Sequence, residues 1–151
     1  MAIAPTAGLV PGGSGVRRRG DLPGLSSLSR VPEPARAFPI VELNGVKLHA
    51  VTETQVISHI LSELDAGRGG VVVTPNLDHL RRYLHDLSFG ALIAEADLVV
   101  ADGMPLVWAS RLQGTPLPER VPGSTLISTL SSAAGLKGKS VFLLGGDPGT
   151  A

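Results

Sequence analysis

Asp102 stands between the aliphatic run Leu98, Val99, Val100, Ala101 and the glycine at 103. A lone carboxylate at the end of a hydrophobic strand is costly to bury, so its position calls for a use. Two uses fit the residue type. As a strand-tip carboxylate it can take a proton from a hydroxyl and act as general base. It can equally cap the helix read over Met104 to Leu112 by accepting backbone N–H bonds. Gly103, which has no side chain, lets a substrate approach closely. Thr74 and Asn76, in the step Thr-Pro-Asn, offer a hydroxyl and an amide to a sugar or phosphate, although Asn76 also suits an N-cap. Arg120 lies in the proline-stiffened stretch PLPERVPG, where it can clamp an anion or simply stand in solvent. Gly145 and Gly146 follow an apolar run in LLGGDPG, a place for backbone N–H groups to cradle a phosphate. That glycine loop matches neither G-x-G-x-x-G nor G-x-x-x-x-G-K-[ST].

Other chemistries find no footing. The chain has no cysteine, which removes disulfides, thiolate zinc sites and a cysteine nucleophile. The histidines at 49, 59, 79 and 85 have no metal-ligand spacing, and neither an Asp-x-Asp pair nor a G-x-S-x-G elbow occurs. Asp78 and Arg82, four apart, read as a solvated surface pair. Thirteen basic residues balance thirteen acidic ones, and aromatics make up 3%, so neither a basic field nor stacking platforms for nucleic acid are present. No apolar run approaches the ~20 residues of a membrane-spanning helix. The arginines at 17–19 follow the mildly apolar start, the reverse of a secretion signal, so the expectation is a cytoplasmic chain with peripheral membrane contact at most.

These residues need elements to hold them. With 151 residues, 43% of them hydrophobic, the chain can build one core. Residues 1–37, rich in Gly, Pro, Ser and Arg without apolar periodicity, read as a disordered tail, and the globular part runs over 38–151. FPIVELNGVKLHA predicts two strands around an Asn-Gly turn. TETQVISHILSELDAG predicts a helix with a Thr52–Gln55 capping box, an apolar face of Ile57, Ile60, Leu61 and Leu64, and a stop at Gly67. A buried strand ending at 74 follows, then a helix with Leu77, Leu80, Leu84 and Leu87 on one spacing that continues through ALIAEA. DLVVADG is a second buried strand. MPLVWASRLQG and STLISTLSSAAGLKG are two more helices, and SVFLLGGDPG is a last strand. Alternating short aliphatic strands and amphipathic helices predict an α/β fold: a mostly parallel, Rossmann-like sheet flanked by helices and incomplete at the C-terminus. Ligands then bind beyond the carboxyl ends of the strands, where 74–76, 101–103 and 145–146 fall.

The segments VVVTPNLDHL, EADLVVADGMPLVWASRLQGTPLPERVPGSTL and VFLLGGDPG, in this order and spacing, resemble the bacterial WecG/TagA/CpsF glycosyltransferases over about residues 39–151. The ungapped block from Ala94 to Gly123 carries most of that resemblance. It implies inverting, metal-independent transfer of a sugar, N-acetylmannosamine in well-known members, from a UDP-sugar to a polyprenyl-diphosphate-linked N-acetylglucosamine. The setting it implies is the inner face of the cell membrane, in teichoic-acid or polysaccharide synthesis. It places the family's aspartate base on Asp102, the Thr-Pro-Asn residues on Thr74 and Asn76, and the loop arginine on Arg120. No cofactor is implied beyond the sugar nucleotide, and self-association is left open. Family domains extend past the last residue here, so a longer natural protein is expected. The rival reading is a non-catalytic nucleotide-binding or interaction module; an oxidoreductase is poorer because the dinucleotide fingerprint is missing.

Overall fold

Asn44 and Gly45 both take positive φ, 49° and 82°, as a two-residue type I′ turn requires. The computed structural model describes residues 2–4 and 38–144. Within it, strands β1 (Ala2–Ala4), β2 (Ile40–Leu43) and β3 (Val46–His49) precede helix α1 (Glu53–Asp65). β2 and β3 form the expected antiparallel hairpin, with Leu43 opposite Val46 and Val41 opposite Leu48. Those four side chains are buried; Ile40, Glu42 and Lys47 alternate with them on the exposed side, and His49 is half-buried. Helix α1 starts at the expected capping box: Thr52 Oγ1 accepts the Gln55 N–H, and Gln55 Oε1 accepts the Thr52 N–H. Val56, Leu61 and Leu64 are its buried apolar residues, with Ile57 and Ile60 half-buried beside them.

Strand β4 (Val72–Val73) pairs in parallel with β5 (Leu98–Val99), and between them lie α2 (Leu77–Tyr83) and α3 (Leu87–Ala94). The chain then forms α4 (Met104–Leu112), α5 (Gly123–Leu136) and β6 (Ser140–Phe142). The ladder between β4 and β5 extends past both strands: Val100 N–H donates to Val73 O at 3.0 Å and Asp102 N–H to Pro75 O at 2.9 Å. β5 is the central wall. Val99 and Ala101 belong to a core with the hairpin, α2 and α4, while Leu98 and Val100 belong to a second core with α1 and α5. Burial on both faces explains why this strand shows no polar alternation.

Three expectations are corrected. The described strands form three two-stranded sheets, β1–β6 and β2–β3 antiparallel and only β4–β5 parallel, in place of a mostly parallel Rossmann-like sheet. The α/β character holds, but β6 pairs with β1 (Ile3 opposite Val141), and at the far edge of β5 a side chain replaces a strand. There the Val99 N–H donates to His49 Nδ1 at 3.0 Å. Second, Ala2–Ala4 is a strand, so the first residues of the expected disordered tail have a partner in the open edge of β6; residues 5–37 lie outside the described residues. Third, the long helix after Asn76 is two helices. Asp86 caps α3 by accepting the Phe89 N–H and also pairs with Arg82, taking the arginine expected beside Asp78. Leu77, Leu84 and Leu87 are exposed, and Leu80 is the buried leucine of that spacing.

Candidate active site

Three segments meet beyond the carboxyl ends of β4 and β5: Thr74–Asn76, Ala101–Gly103 and Val121–Gly123. The Val121 N–H donates to Ala101 O at 2.7 Å, which brings the start of α5 to the tip of β5. The loop that makes this approach is itself held to α4. Ser110, fully buried, donates its hydroxyl to Val107 O and accepts the Leu117 N–H at 3.0 Å. Glu119 anchors the other side by accepting the Glu53 N–H, the first residue of α1.

At this junction Asp102 is half-buried, and its Oδ2 accepts the Gly123 N–H at 3.3 Å. The carboxylate therefore caps a helix, but the helix is α5, 21 residues on, and not the adjacent α4. The expected bond to α4 is absent: α4 has Gly103 at its N-cap position, with φ 139° and ψ 142°, and no side-chain cap. That φ lies in the region that glycine enters without penalty, so Gly103 is needed by the backbone as well as by any approaching substrate. The N-cap residue of α5 is Pro122, which has no capping side chain, so Asp102 supplies the negative charge that a helix N-terminus favours. Among the described residues Oδ1 of Asp102 has no protein partner, so one carboxylate oxygen is uncommitted.

The other expected site residues are placed as follows. Thr74 packs against Gly123; a Cβ at 123 would fall 2.8 Å from Thr74 Oγ1. Asn76 is committed to the N-terminus of α2, its Oδ1 accepting the His79 N–H while His79 Nδ1 accepts the Asn76 N–H, both at 3.1 Å. Arg120 is exposed between the anchored Glu119 and the buried Val121, one residue from the tip of β5. Gly145 and Gly146 lie outside the described residues. Thr74, Asp102 and Gly103 thus meet beyond the strand ends, with Arg120 exposed on the adjoining loop, whereas Asn76 has its side-chain oxygen in use. Sequence reasoning missed Gly123. Its only local signal is a glycine after Pro122, and its role becomes visible once α5 meets β4.

Two further surfaces adjoin the site. From Thr74 and Gly123 a cleft of about 330 Å³ runs along β4 to Gly70, Gly69 and Arg68, between α1 and α5. On the outer side, α4 exposes Pro105, Trp108, Ala109 and Leu112, an apolar stripe at i, i+3, i+4 and i+7 that begins beside Gly103. Arg111 lies in the last turn of α4, which has no acidic residue. Among the described residues no helix is long and apolar enough to cross a membrane. No group of three or more His, Cys, Asp or Glu is placed to hold a metal ion there.

A family model described as Glycosyl transferase WecG/TagA/CpsF family matches residues 41–151. An N-acetylglucosaminyldiphosphoundecaprenol N-acetyl-beta-D-mannosaminyltransferase of Bacillus spizizenii is 32% identical over 93 residues, 61% of this chain and 36% of the relative. The match thus spans about a third of the relative's length.

Proposed function

Because the chain belongs to the glycosyl transferase WecG/TagA/CpsF family, we propose that the protein is a glycosyltransferase whose general base is Asp102. The relative's name specifies transfer of an N-acetylmannosaminyl group to N-acetylglucosaminyldiphosphoundecaprenol. We assign the same kinds of substrate here, with UDP-N-acetylmannosamine or a close UDP-sugar as donor and a polyprenyl-diphosphate-linked N-acetylglucosamine as acceptor. The acceptor hydroxyl oxygen attacks the anomeric carbon from the face opposite the diphosphate, so the configuration inverts. As the new C–O bond forms, the bond to the diphosphate breaks and UDP departs with its electron pair. The hydroxyl proton goes to Oδ1 of Asp102. Arg120 and the first turn of α5 supply positive charge for the departing diphosphate, the part a divalent cation plays in Asp-x-Asp enzymes. Gly145 and Gly146 add backbone N–H donors in the same reading, and Thr74 hydrogen-bonds the donor. Asn76 contributes its free amide Nδ2, since Oδ1 is in use as a cap.

The single observation that carries this reading is the carboxylate held at a strand tip against a helix N-terminus with one oxygen uncommitted. The apolar stripe of α4, with Arg111 in its last turn, supports a lipid-bearing acceptor and a peripheral position at the inner membrane face. The experiment is to incubate the full-length protein with UDP-N-acetylmannosamine and the lipid-linked acceptor. UDP release coupled to elongation of the acceptor supports the proposal; UDP-sugar binding with no transfer favours the rival binding module, for which the Asp102–Gly123 bond is purely structural.

A further inference from the structure

Between α4 and α5 the chain carries three prolines, Pro116, Pro118 and Pro122, around a single arginine. Alternate residues of this loop are tied down. The Thr115 N–H donates to Ser110 O at 3.0 Å, and the Leu117 N–H to Ser110 Oγ at the same distance. Glu119 Oε1 accepts the Glu53 N–H at 2.6 Å, and the Val121 N–H donates to Ala101 O at 2.7 Å. Leu117 and Val121 are buried as well. The residues between these ties, Pro116, Pro118 and Arg120, are exposed. Proline fixes its own φ and favours an extended residue before it, so the loop has few other paths from one tie to the next. Arg120 is the one residue among those three that can bind an anion.

The tie at Glu119 differs from the other three. Those use backbone groups of the loop and lead to α4 or the tip of β5, whereas this one is made by a loop side chain and leads to α1. It arrives at the N-terminus of that helix, where Thr52 Oγ1 takes the Gln55 N–H and the Glu53 N–H is left for an outside acceptor. A carboxylate is favoured there by the helix dipole and by a charge-assisted hydrogen bond. Glu53 in turn accepts the Thr129 hydroxyl of α5 through its own Oε1, at 2.7 Å. The loop is thereby joined to α1, and α1 to α5, whose first residue is the Gly123 bonded to Asp102. Turned towards α1, the Glu119 carboxylate does not neutralise its neighbour: among the described residues Arg120 forms no ion pair.

We propose that Glu119 is a positioning residue for Arg120. Its carboxylate, docked on the N-terminus of α1, fixes the backbone on one side of the arginine as Val121 does on the other. It also leaves the guanidinium uncompensated for the donor's diphosphate. The inference rests on Arg120 holding that diphosphate. A guanidinium on an unanchored loop would have to be ordered each time the anion binds, and the prior anchoring of the loop avoids that cost.

Calorimetric titration with UDP tests this, in the full-length protein at a temperature where every variant is folded. Glu119→Ala removes the tie, and Glu119→Gln keeps an oxygen for the Glu53 N–H. Thr52→Ala removes a cap from the same helix without touching the loop. Glu119→Ala is expected to weaken UDP binding by about tenfold, the scale of one hydrogen bond to a charged group. Glu119→Gln should recover most of that loss, and Thr52→Ala should lower the melting temperature while UDP affinity is kept. In an Arg120→Ala background, Glu119→Ala should weaken binding no further, since the group it positions is gone. Unchanged affinity in Glu119→Ala, where Arg120→Ala alone weakens binding, overturns the inference and leaves the reading of Arg120 standing. Equal losses from Glu119→Ala and Thr52→Ala, or a full second loss in the Arg120→Ala background, overturn it by reducing Glu119 to a helix cap. Arg120→Ala with undiminished affinity overturns the reading of Arg120 and this inference together.

Discussion

β4 and β5 are read from almost the same letters, VVV and LVVA, yet they sit in opposite circumstances. β5 has β4 along one edge, the His49 imidazole on the other, and a core on each face. β4 has half-buried valines and lines an open cleft between α1 and α5. Asp102 hangs from the braced strand. In the proposed role, a carboxylate that meets a hydroxyl at a defined distance gains from a rigid support. Thr74 hangs from the open strand and is fixed instead by the glycine of another element. The contrast teaches that aliphatic content marks a strand as internal, whereas its neighbours decide how firmly its tip is held.

The largest stability effects should expose this difference directly. Leu98→Ala, in the wall between the two cores, is expected to cost about 2–5 kcal/mol, while Val73→Ala on half-buried β4 costs less than half as much. Chemical denaturation of both variants checks the ratio, and equal losses would break the contrast. Next comes Gly123→Ala. Its added methyl meets Thr74 Oγ1, with an expected loss of about 1–3 kcal/mol. Thr74→Ala in the same chain should restore part of that loss, so a double-mutant cycle with no coupling would remove the Thr74–Gly123 contact from the account.

A smaller effect is set by pH. Burial, the largest cause, holds the His49 imidazole below the ordinary histidine range; the Val99 backbone opposes this and His59 adds to it. The neutral ring accepts the Val99 N–H, and protonation removes that acceptor. With the folded pKa depressed, the contribution to stability is fully present above the unfolded histidine value. It is lost as pH falls through the lower folded value. Thermal melts across that range should show a decline that is weaker in His49→Gln; an unchanged decline would place its origin elsewhere. Smallest of all is Trp108→Ala on the exposed stripe of α4, expected to change stability by less than about 0.5 kcal/mol. The same variant should reduce cosedimentation with anionic vesicles if that stripe faces lipid, and full retention would detach α4 from the membrane reading.

Features that depend on neighbours in sequence were legible without coordinates. The Asn-Gly hairpin and the Thr52–Gln55 capping box are set within four residues, and both stand where the pattern puts them. The stops after α1, α4 and α5 likewise coincide with positive-φ glycines at 67, 114 and 138. The helix break at Asp86 was hidden because leucine spacing runs straight through it, and a single aspartate capping bond outweighs that pattern. Pairing of β6 was hidden for a different reason: an apolar run states that it is a strand and nothing about its partner. For the site, Asp102 and its strand-tip position were legible. The helix it caps was not, since the alternative reading put the bond on the next helix and the observed one is to α5, reached through a loop pinned by Ser110 and Ala101. Gly123 stayed invisible for the same cause, because its constraint is a contact between elements 49 residues apart in sequence.

The central claim is that Asp102 takes the acceptor proton, and the most direct measurement is turnover by Asp102→Asn in the full-length protein beside its affinity for UDP. Asparagine keeps an oxygen to accept the Gly123 N–H and loses the basic carboxylate, so the α5 cap and the fold should survive. The account predicts turnover lower by about 10²–10⁴-fold with UDP affinity and thermal stability nearly unchanged. Undiminished turnover in a variant of normal stability would contradict it and leave Asp102 as a helix cap alone.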